Sequence, residues 1–420
     1  MSTIRDARRV AGLALAIAAC LPVPALAAGE IEALKQQVEA LQRQLQAIQA
    51  ELDEQQAKSA SKDDVQALKK EVKEVSEVHS EWKEATSVVH LAGYGAVGYT
   101  DNEDTKGRFS QVLFAPIFHY QYKDLMMLES ELEITNDPDG ETSTALEYLT
   151  LDLFLNDYAT LVAGKFLSPV GQFRQNIHPS WINKLPSAPP GFGHDGAAPI
   201  SDTGLQLRGG FPLASMRSNY ALYVANGPEL DAVSEDGEVE LEGIMAEGRT
   251  SDVDGDKVVG GRFGLLPVSA LEVGLSFITG RAAVTDFDMA GISGEPSRDY
   301  DVIGGDFAWQ WRKLSLRGEY VRSKVGADDS GGPTASAGAK WETWYTQAAY
   351  RFLPTKLEGV VRYTDFDSPH AAEDQKQWAL GVNYLFASNV IAKIAYEFND
   401  GQVGASSDAD SFLAQIAYGF

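Results

Sequence analysis

From Val88 to Phe420 apolar and polar residues alternate with a period of two, broken at intervals by Gly, Pro, Asp and Asn. That period belongs to strands, whose successive side chains point to opposite faces. Sixteen such runs can be placed, at 88–100, 107–121, 124–135, 144–156, 158–166, 201–212, 217–226, 257–268, 270–281, 298–311, 313–324, 341–352, 356–366, 375–386, 389–399 and 409–420. Each is near the roughly 9–11 residues a tilted strand needs to cross a bilayer, and none approaches the ~20 apolar residues of a membrane helix. The connections alternate in length. After odd-numbered runs they are long, as at 167–200 and 227–256; after even-numbered runs they shrink to Asp157, Ser269 or Arg312. Long outer loops and short periplasmic turns are the habit of transmembrane barrels.

The faces agree. The run 375–386 sets Trp378, Leu380, Val382, Tyr384 and Phe386 against Gln377, Ala379, Gly381 and Asn383. Apolar residues outward and polar residues inward invert a soluble barrel, and lipid explains the inversion. Even runs finish on aromatics (Tyr120, Phe211, Trp311, Phe352, Phe386 and Phe420), which fit an interfacial girdle. Pro116 is a misfit inside the second run; a closed barrel has no free edge for it, so a bulge is expected there.

Before Val88 the pattern changes twice. Arg5, Arg8 and Arg9 precede an apolar stretch from Val10 to Leu21 and an Ala25-Leu26-Ala27 end, which reads as a secretory signal over residues 1–27 cleaved after Ala27. Ile17-Ala18-Ala19-Cys20 offers the alternative of a lipidated Cys20. Residues 28–87 are rich in Glu, Gln, Lys, Ala and Leu. Ile31, Leu34, Val38, Leu41, Leu45, Ile48 and Leu52 alternate spacings of three and four, an a/d seam of a left-handed coiled coil. Its mixture of β-branched residues and Leu at both positions fits a homotrimer; one amphipathic helix lying on another domain is the other reading. The expected fold class is thus an all-β transmembrane barrel of about 16 antiparallel strands at 88–420, preceded by an α-helical coiled coil.

Composition removes several classes. The net charge is −25, and removing Met1–Ala27 takes away three Arg and one Asp, leaving −27. So acidic an exported chain is no nucleic-acid binder. Cys20 is the one cysteine, so the mature chain has no disulfide framework. Motifs of zinc hydrolases, serine hydrolases, phosphate loops and dinucleotide sites are missing, and no enzyme activity, cofactor or metal is expected.

Here a family resemblance enters. Ala163-Gly164-Lys165-Phe166-Leu167-Ser168-Pro169-Val170-Gly171 resembles the Gly-(Lys/Gln)-Phe-x-x-Pro-x-Gly segment of the phosphate-selective porin superfamily. Tyr223-Val224-Ala225-Asn226-Gly227-Pro228 resembles its Asn-Gly strand end, and the terminal Phe420 is similar to the assembly signal of bacterial outer-membrane porins. The stalk is similar to that of coiled-coil-bearing trimeric members, some of which take dicarboxylates. The resemblance implies a bacterial outer-membrane location with the coiled coil in the periplasm. The partners it implies are two further copies of the chain, outer-membrane lipid and lipopolysaccharide, the barrel-assembly machinery through Phe420, and peptidoglycan within reach of the stalk.

Inward parity yields the pore-lining candidates. The bases are Lys165, Arg208, Arg262, Arg317, Arg351, Arg362 and Lys393; Glu129, Glu131 and Glu133 stand out among the acids as three successive inward carboxylates. Rings of fixed charge set pore selectivity, although cross-strand pairs such as Arg317 with Glu319, or Arg362 with Glu358, would neutralise them. The acidic stretch Pro228–Asp256 reads as a solvated outer loop; Asp252-Val253-Asp254-Gly255-Asp256 lacks the closing Glu of a calcium loop. Leu167–Ile200 differs. It is the third outer loop, rich in Pro, Gly and aromatics, with Arg174, Lys184, His178 and His194 against Asp195 alone. Structureless connections of this length are commonly functional. It is expected to fold into the tube, wedged by Phe173, Trp181 and Phe192, and to draw anions through Arg174 and Lys184. The function expected is passive diffusion of small hydrophilic, anionic solutes such as phosphate or carboxylates; the alternative is a structural envelope tether or adhesin built on the stalk.

Overall fold

The computed structural model describes residues 87–137, 139–193, 197–235, 238–285, 297–327, 338–352 and 354–420. The signal and coiled-coil segments, His194 and Asp195 lie outside the described residues. In chain order the strands are β1 (Ser87–Asn102), β2 (Arg108–Tyr122), β3 (Met126–Asn136), β4 (Thr142–Asn156), β5 (Ala159–Leu167), β6 (Ser201–Leu213), β7 (Met216–Ala225), β8 (Glu229–Glu235), β9 (Glu238–Met245) and β10 (Val258–Val268). They continue as β11 (Leu271–Thr285), β12 (Arg298–Trp311), β13 (Leu314–Val325), β14 (Ala339–Arg351), β15 (Leu357–Asp367), β16 (Gln375–Ala387), β17 (Val390–Gly401) and β18 (Ser411–Gly419). β1–β7 and β10–β18 pair antiparallel with their neighbours, and β1 closes on β18, making a barrel of 16 strands. All sixteen correspond to the alternating runs of the sequence.

Closure is sealed at the C-terminus. Phe420 exchanges both backbone hydrogen bonds with Gly93, at 3.1 and 2.9 Å, and its ring stacks on Phe114 and Tyr418. The short turns carry the strain expected of tight hairpins: Lys123, Ala214 and Arg312 hold positive φ. Outward side chains are apolar and exposed, among them Trp378, Leu380, Val382, Tyr384 and Phe386. The opposite parity of the same strand, Gln377, Ala379 and Asn383, is buried.

Pro116 does not create a bulge. Phe114 pairs Ile134 and Ile117 pairs Glu131 in one register, while Ala115 and Pro116 have no partner on β3. Gly93, which faces Pro116 across β1–β2, spends its own N–H and C=O on Phe420. In an antiparallel ladder that makes Gly93–Pro116 a non-bonded pair, so the missing N–H of Pro116 points at β3. The ladder lapses for two residues there and the register survives.

The acidic stretch after Gly227 is also different from its expected form. It contains the hairpin β8–β9, antiparallel within itself and parallel to the end of β11 at Ala283–Thr285. Leu230, Leu241 and Ile244 are buried in one apolar cluster with Phe166, Val170, Phe173, Ile177 and Phe192, and with the inward residues Val258, Ile278, Tyr300, Val302, Val321 and Trp341 of the barrel wall. Part of the lumen is therefore a packed core rather than a water-filled tube.

Candidate functional site: the lumen loop and the wall it faces

Gly171 starts the loop's inward course. Its φ is +69, a conformation that costs residues with a β-carbon about 1–2 kcal/mol. A β-carbon there would also collide with the Glu319 carboxylate. The bare backbone instead wraps that carboxylate: Glu319 Oε2 accepts from the amides of Gln172 (2.9 Å) and Phe173 (3.2 Å), while Tyr345 donates its hydroxyl to Oε1 at 2.6 Å. Gly171 N–H donates to Ser276 Oγ at 3.2 Å, and Gln172 Nε2 to Asp306 Oδ1 at 2.8 Å. The family-like segment ending at Gly171 is thus the hinge and first latch of the loop.

Phe173–Ile177 form one turn of π-helix. His178 follows, its Nδ1 at the Arg174 carbonyl and its Nε2 3.6 Å from Glu131 of β3. The chain then moves along the wall from β18 back to β13. Trp181 lies over Gly419, where a β-carbon would stand 2.6 Å from its ring. Lys393 donates to the carbonyls of Ser180 (2.6 Å) and Leu185 (3.2 Å). Lys184 Nζ is 3.0 Å from Glu358 Oε1, and Asn383 donates to the Lys184 carbonyl at 2.9 Å. Arg362 donates to the carbonyls of Ser187 and Ala188, both at 3.1 Å. Ser187 in turn donates its hydroxyl to Glu397. Thr343 and Ser323 donate to the carbonyls of Pro190 (2.8 Å) and Ala197 (2.5 Å). Phe173 and Phe192 pack edge to face at 5.8 Å, and Phe192 against Tyr345 at 5.2 Å. The loop is inside the barrel, as expected.

Its cations are not free, however. Lys184 is paired, and Arg174 is buried, with its Nε among the polar atoms that have no partner. Arg362 and Lys393 face inward as parity predicts, yet each is only 1% exposed because the loop covers it. Lys393 spends its charge on loop carbonyls, and Arg362 on loop carbonyls and on Glu397 at 3.5 Å, not on an open passage. Arg262 is likewise committed, to Asp306 through Nε (2.8 Å) and Nη2 (2.7 Å) and to Glu272 at 3.0 Å. The expected Arg317–Glu319 and Arg362–Glu358 pairs give way to Tyr345 and loop amides on Glu319 and to Lys184 on Glu358. Lys165 departs most. On β5 the buried inward residues are Val162 and Phe166, so Lys165 has the opposite parity; it pairs with outward Leu149, and its ammonium bonds the Leu146 carbonyl at 2.7 Å. Both parities of β5 are apolar because loop and hairpin cover its inner face, which erased the alternation in the sequence.

Arg208, Arg317 and Arg351 remain partly exposed on inward parity near the short-turn end of the barrel. Opposite Arg317 stands β3, eight places round from β13 in the closed order, while Arg208 on β6 is three places from it. On β3, Glu129 accepts from Tyr148 at 2.8 Å and lies 3.4 Å from His119, and Glu131 accepts from Tyr94 at 2.7 Å. Glu133 is half-buried on the same parity. Between this wall and the loop lies a cavity of about 250 Å³ lined by Glu129, Glu131, Tyr148, Gln206, Arg208 and His178 with other residues of β2–β6 and the loop. Tyr94, Tyr148 and Gln206 were missed by a search restricted to charges, although their inward parity was readable.

In the acidic stretch, Asp252 binds Lys257, Asp254 accepts from Ser297 at 2.5 Å and Asp256 lies 3.2 Å from Arg281. Hydrogen bonding to the Lys257 ammonium holds the Asp252 carboxyl below the usual carboxylate range.

A family model described as phosphate-selective porin O and P matches residues 275–412. Among solved structures, the chain is similar to an anion-selective porin from Comamonas acidovorans (TM-score 0.53, 15% identity, covering 80% of this chain and 100% of that one). It is also similar to Salmonella typhi OmpF in complex with daunomycin (TM-score 0.53, 14%, 80% and 98%). A third is OmpTdeltaL8, a loop-deletion mutant of an outer-membrane protein of Vibrio cholerae (TM-score 0.52, 12%, 80% and 100%). At these identities the likeness is one of fold. No curated protein matches the chain. Barrel, lumen loop and the family match over residues 275–412 together make the chain similar to the phosphate-selective porins, with the barrel fold of outer-membrane porins.

Proposed function

We propose that this porin is a passive diffusion channel for small hydrophilic solutes, with carboxylates and phosphates preferred. The observation that carries the reading is the loop Leu167–Ile200, latched inside the barrel by side chains of β11–β17 and leaving a cavity of about 250 Å³ against β2–β6. A loop that only decorated the outer mouth would not need buried Lys and Arg donors to hold it. The anionic class is supported by the matched family's description and by the guanidinium groups of Arg208, Arg317 and Arg351 on the inward face. A second reading, cation preference, is favoured by the row Glu129, Glu131 and Glu133.

Planar-bilayer reversal potentials under a salt gradient decide between them. The expected sign is anionic, and Arg208→Glu with Arg317→Glu moves it toward cations. A cation-selective wild type sinks the anion preference, and absence of any channel sinks the porin reading. The remainder of the proposal concerns the ends of the chain. The signal 1–27 is removed, and the stalk 28–87 stands in the periplasm, gathers three copies and reaches toward peptidoglycan. Phe420 is read by the barrel-assembly machinery, and the outer loops meet lipopolysaccharide.

A further inference from the structure

The cavity between the loop and the β2–β6 wall holds more than a passage needs. Its amide Gln206 is 1% exposed, and neither its nitrogen nor its oxygen has a hydrogen-bond partner among the described residues. An unpaired buried polar group costs about 1–3 kcal/mol, a cost that a polar guest with both donors and acceptors removes. Asp152 Oδ1 and His178 Nε2 are buried without a hydrogen bond as well. Arg208, 44% exposed, spends one contact on Asp152 Oδ2 at 2.5 Å. A guanidinium has five N–H donors, so most remain for a second carboxylate. Glu129 and Glu131 line the same space, each accepting one tyrosine hydroxyl, on Oε1, from Tyr148 and Tyr94 respectively.

The carboxylates of Glu129 and Glu131, facing an arginine that already holds Asp152, make this a poor place for a bare anion, and Arg208 makes it a poor place for a bare cation. We propose that the cavity is a solute-binding subsite for small zwitterions, molecules with an ammonium and a carboxylate on one short carbon frame. The ammonium sits at Glu129 and Glu131, the carboxylate at Arg208, and Gln206 takes up the remaining polar contacts. At about 250 Å³ the space is below the range of drug-sized pockets, which restricts it to guests of amino-acid size. The inference rests on the channel reading and narrows its carboxylate class to those carrying their own positive charge.

The test is ion-current interruption by added solute in planar bilayers of the full-length protein. L-alanine is compared with L-lactate, which replaces the ammonium by a hydroxyl, and with inorganic phosphate. Alanine is expected to interrupt the current at about tenfold lower concentration than either, since one charge-assisted hydrogen bond separates it from lactate. Glu129→Gln with Glu131→Gln is expected to abolish that difference, and Arg208→Gln to weaken alanine and lactate together. Glu129→Gln alone, at a half-exposed site, carries the test should the double variant fail to fold, and the wild-type comparison needs no variant. Equal interruption by alanine and lactate, stronger interruption by phosphate, or alanine interruption untouched by the substitutions overturns the subsite. Conductance before any solute is added tests the channel reading separately.

Discussion

At the scale of single residues the lumen loop hangs on Glu319. Its carboxylate takes two backbone amides of the loop and the Tyr345 hydroxyl. Hydrogen bonds to a charged group contribute about 1.5–3 kcal/mol each. Glu319→Ala removes all three and leaves their donors buried, so the first turn of the loop is expected to unlatch. Single-channel conductance should rise and the open state should flicker; an unchanged, quiet conductance would mean that this latch does not set the narrow point. Gly171→Ala attacks the same latch from the other side, through its positive φ and the crowded carboxylate. Because both act on one contact, their effects on conductance should fall short of additive. The sequence held half of this. Gly171 was legible within a segment of known type, whereas Glu319 was read as a partner for Arg317 two residues away. Nothing local says that a carboxylate will be claimed by amides 146 and 147 positions distant.

At the scale of elements, the sixteen barrel strands were legible because two solvents act on them. Lipid outside and polar contacts inside enforce a strict alternation, and short turns at one end fix direction. The reading weakened where a strand's inner face is covered by protein. β5 lost its alternation under the loop, and with it the parity of Lys165. The hairpin β8–β9 was missed for a related reason. Its few apolar anchors, Leu230, Leu241 and Ile244, are scattered through a run of acids that reads as solvated. Those anchors give a clear expectation. Leu230 is fully buried, and truncating a buried Leu costs about 2–5 kcal/mol. Leu230→Ala should therefore loosen the hairpin and the nearby Arg249–Glu229 pair, bonded at 2.5 Å, while the barrel keeps its own ladders. Trypsin cleavage after Arg249 should quicken with no change in the temperature at which the barrel unfolds. A fall in that temperature with cleavage unchanged would show the hairpin to be part of the barrel's cooperative unit.

At the scale of the whole molecule, the barrel closes on itself through β1 and β18 and leaves no strand edge for another copy. Its outward face is apolar on strand after strand, which lipid satisfies without choosing an oligomer. If three copies are preferred, the preference must come from shape matching between walls or from a dedicated device, and we propose the a/d seam read in the sequence from Ile31 to Leu52 as that device. Deleting Gly29–Ser87 separates these sources. If the seam sets the number, the truncated protein should still fold, conduct and narrow its lumen with the same loop, but should run as a monomer by native mass measurement in detergent. Solute uptake by cells should persist while attachment of the protein to sedimented peptidoglycan is lost. Trimers that survive the deletion would assign assembly to the barrel walls and leave the stalk as a tether. Loss of conductance on deletion would overturn the division of labour altogether, because every contact that positions the lumen loop described above lies between Tyr94 and Phe420.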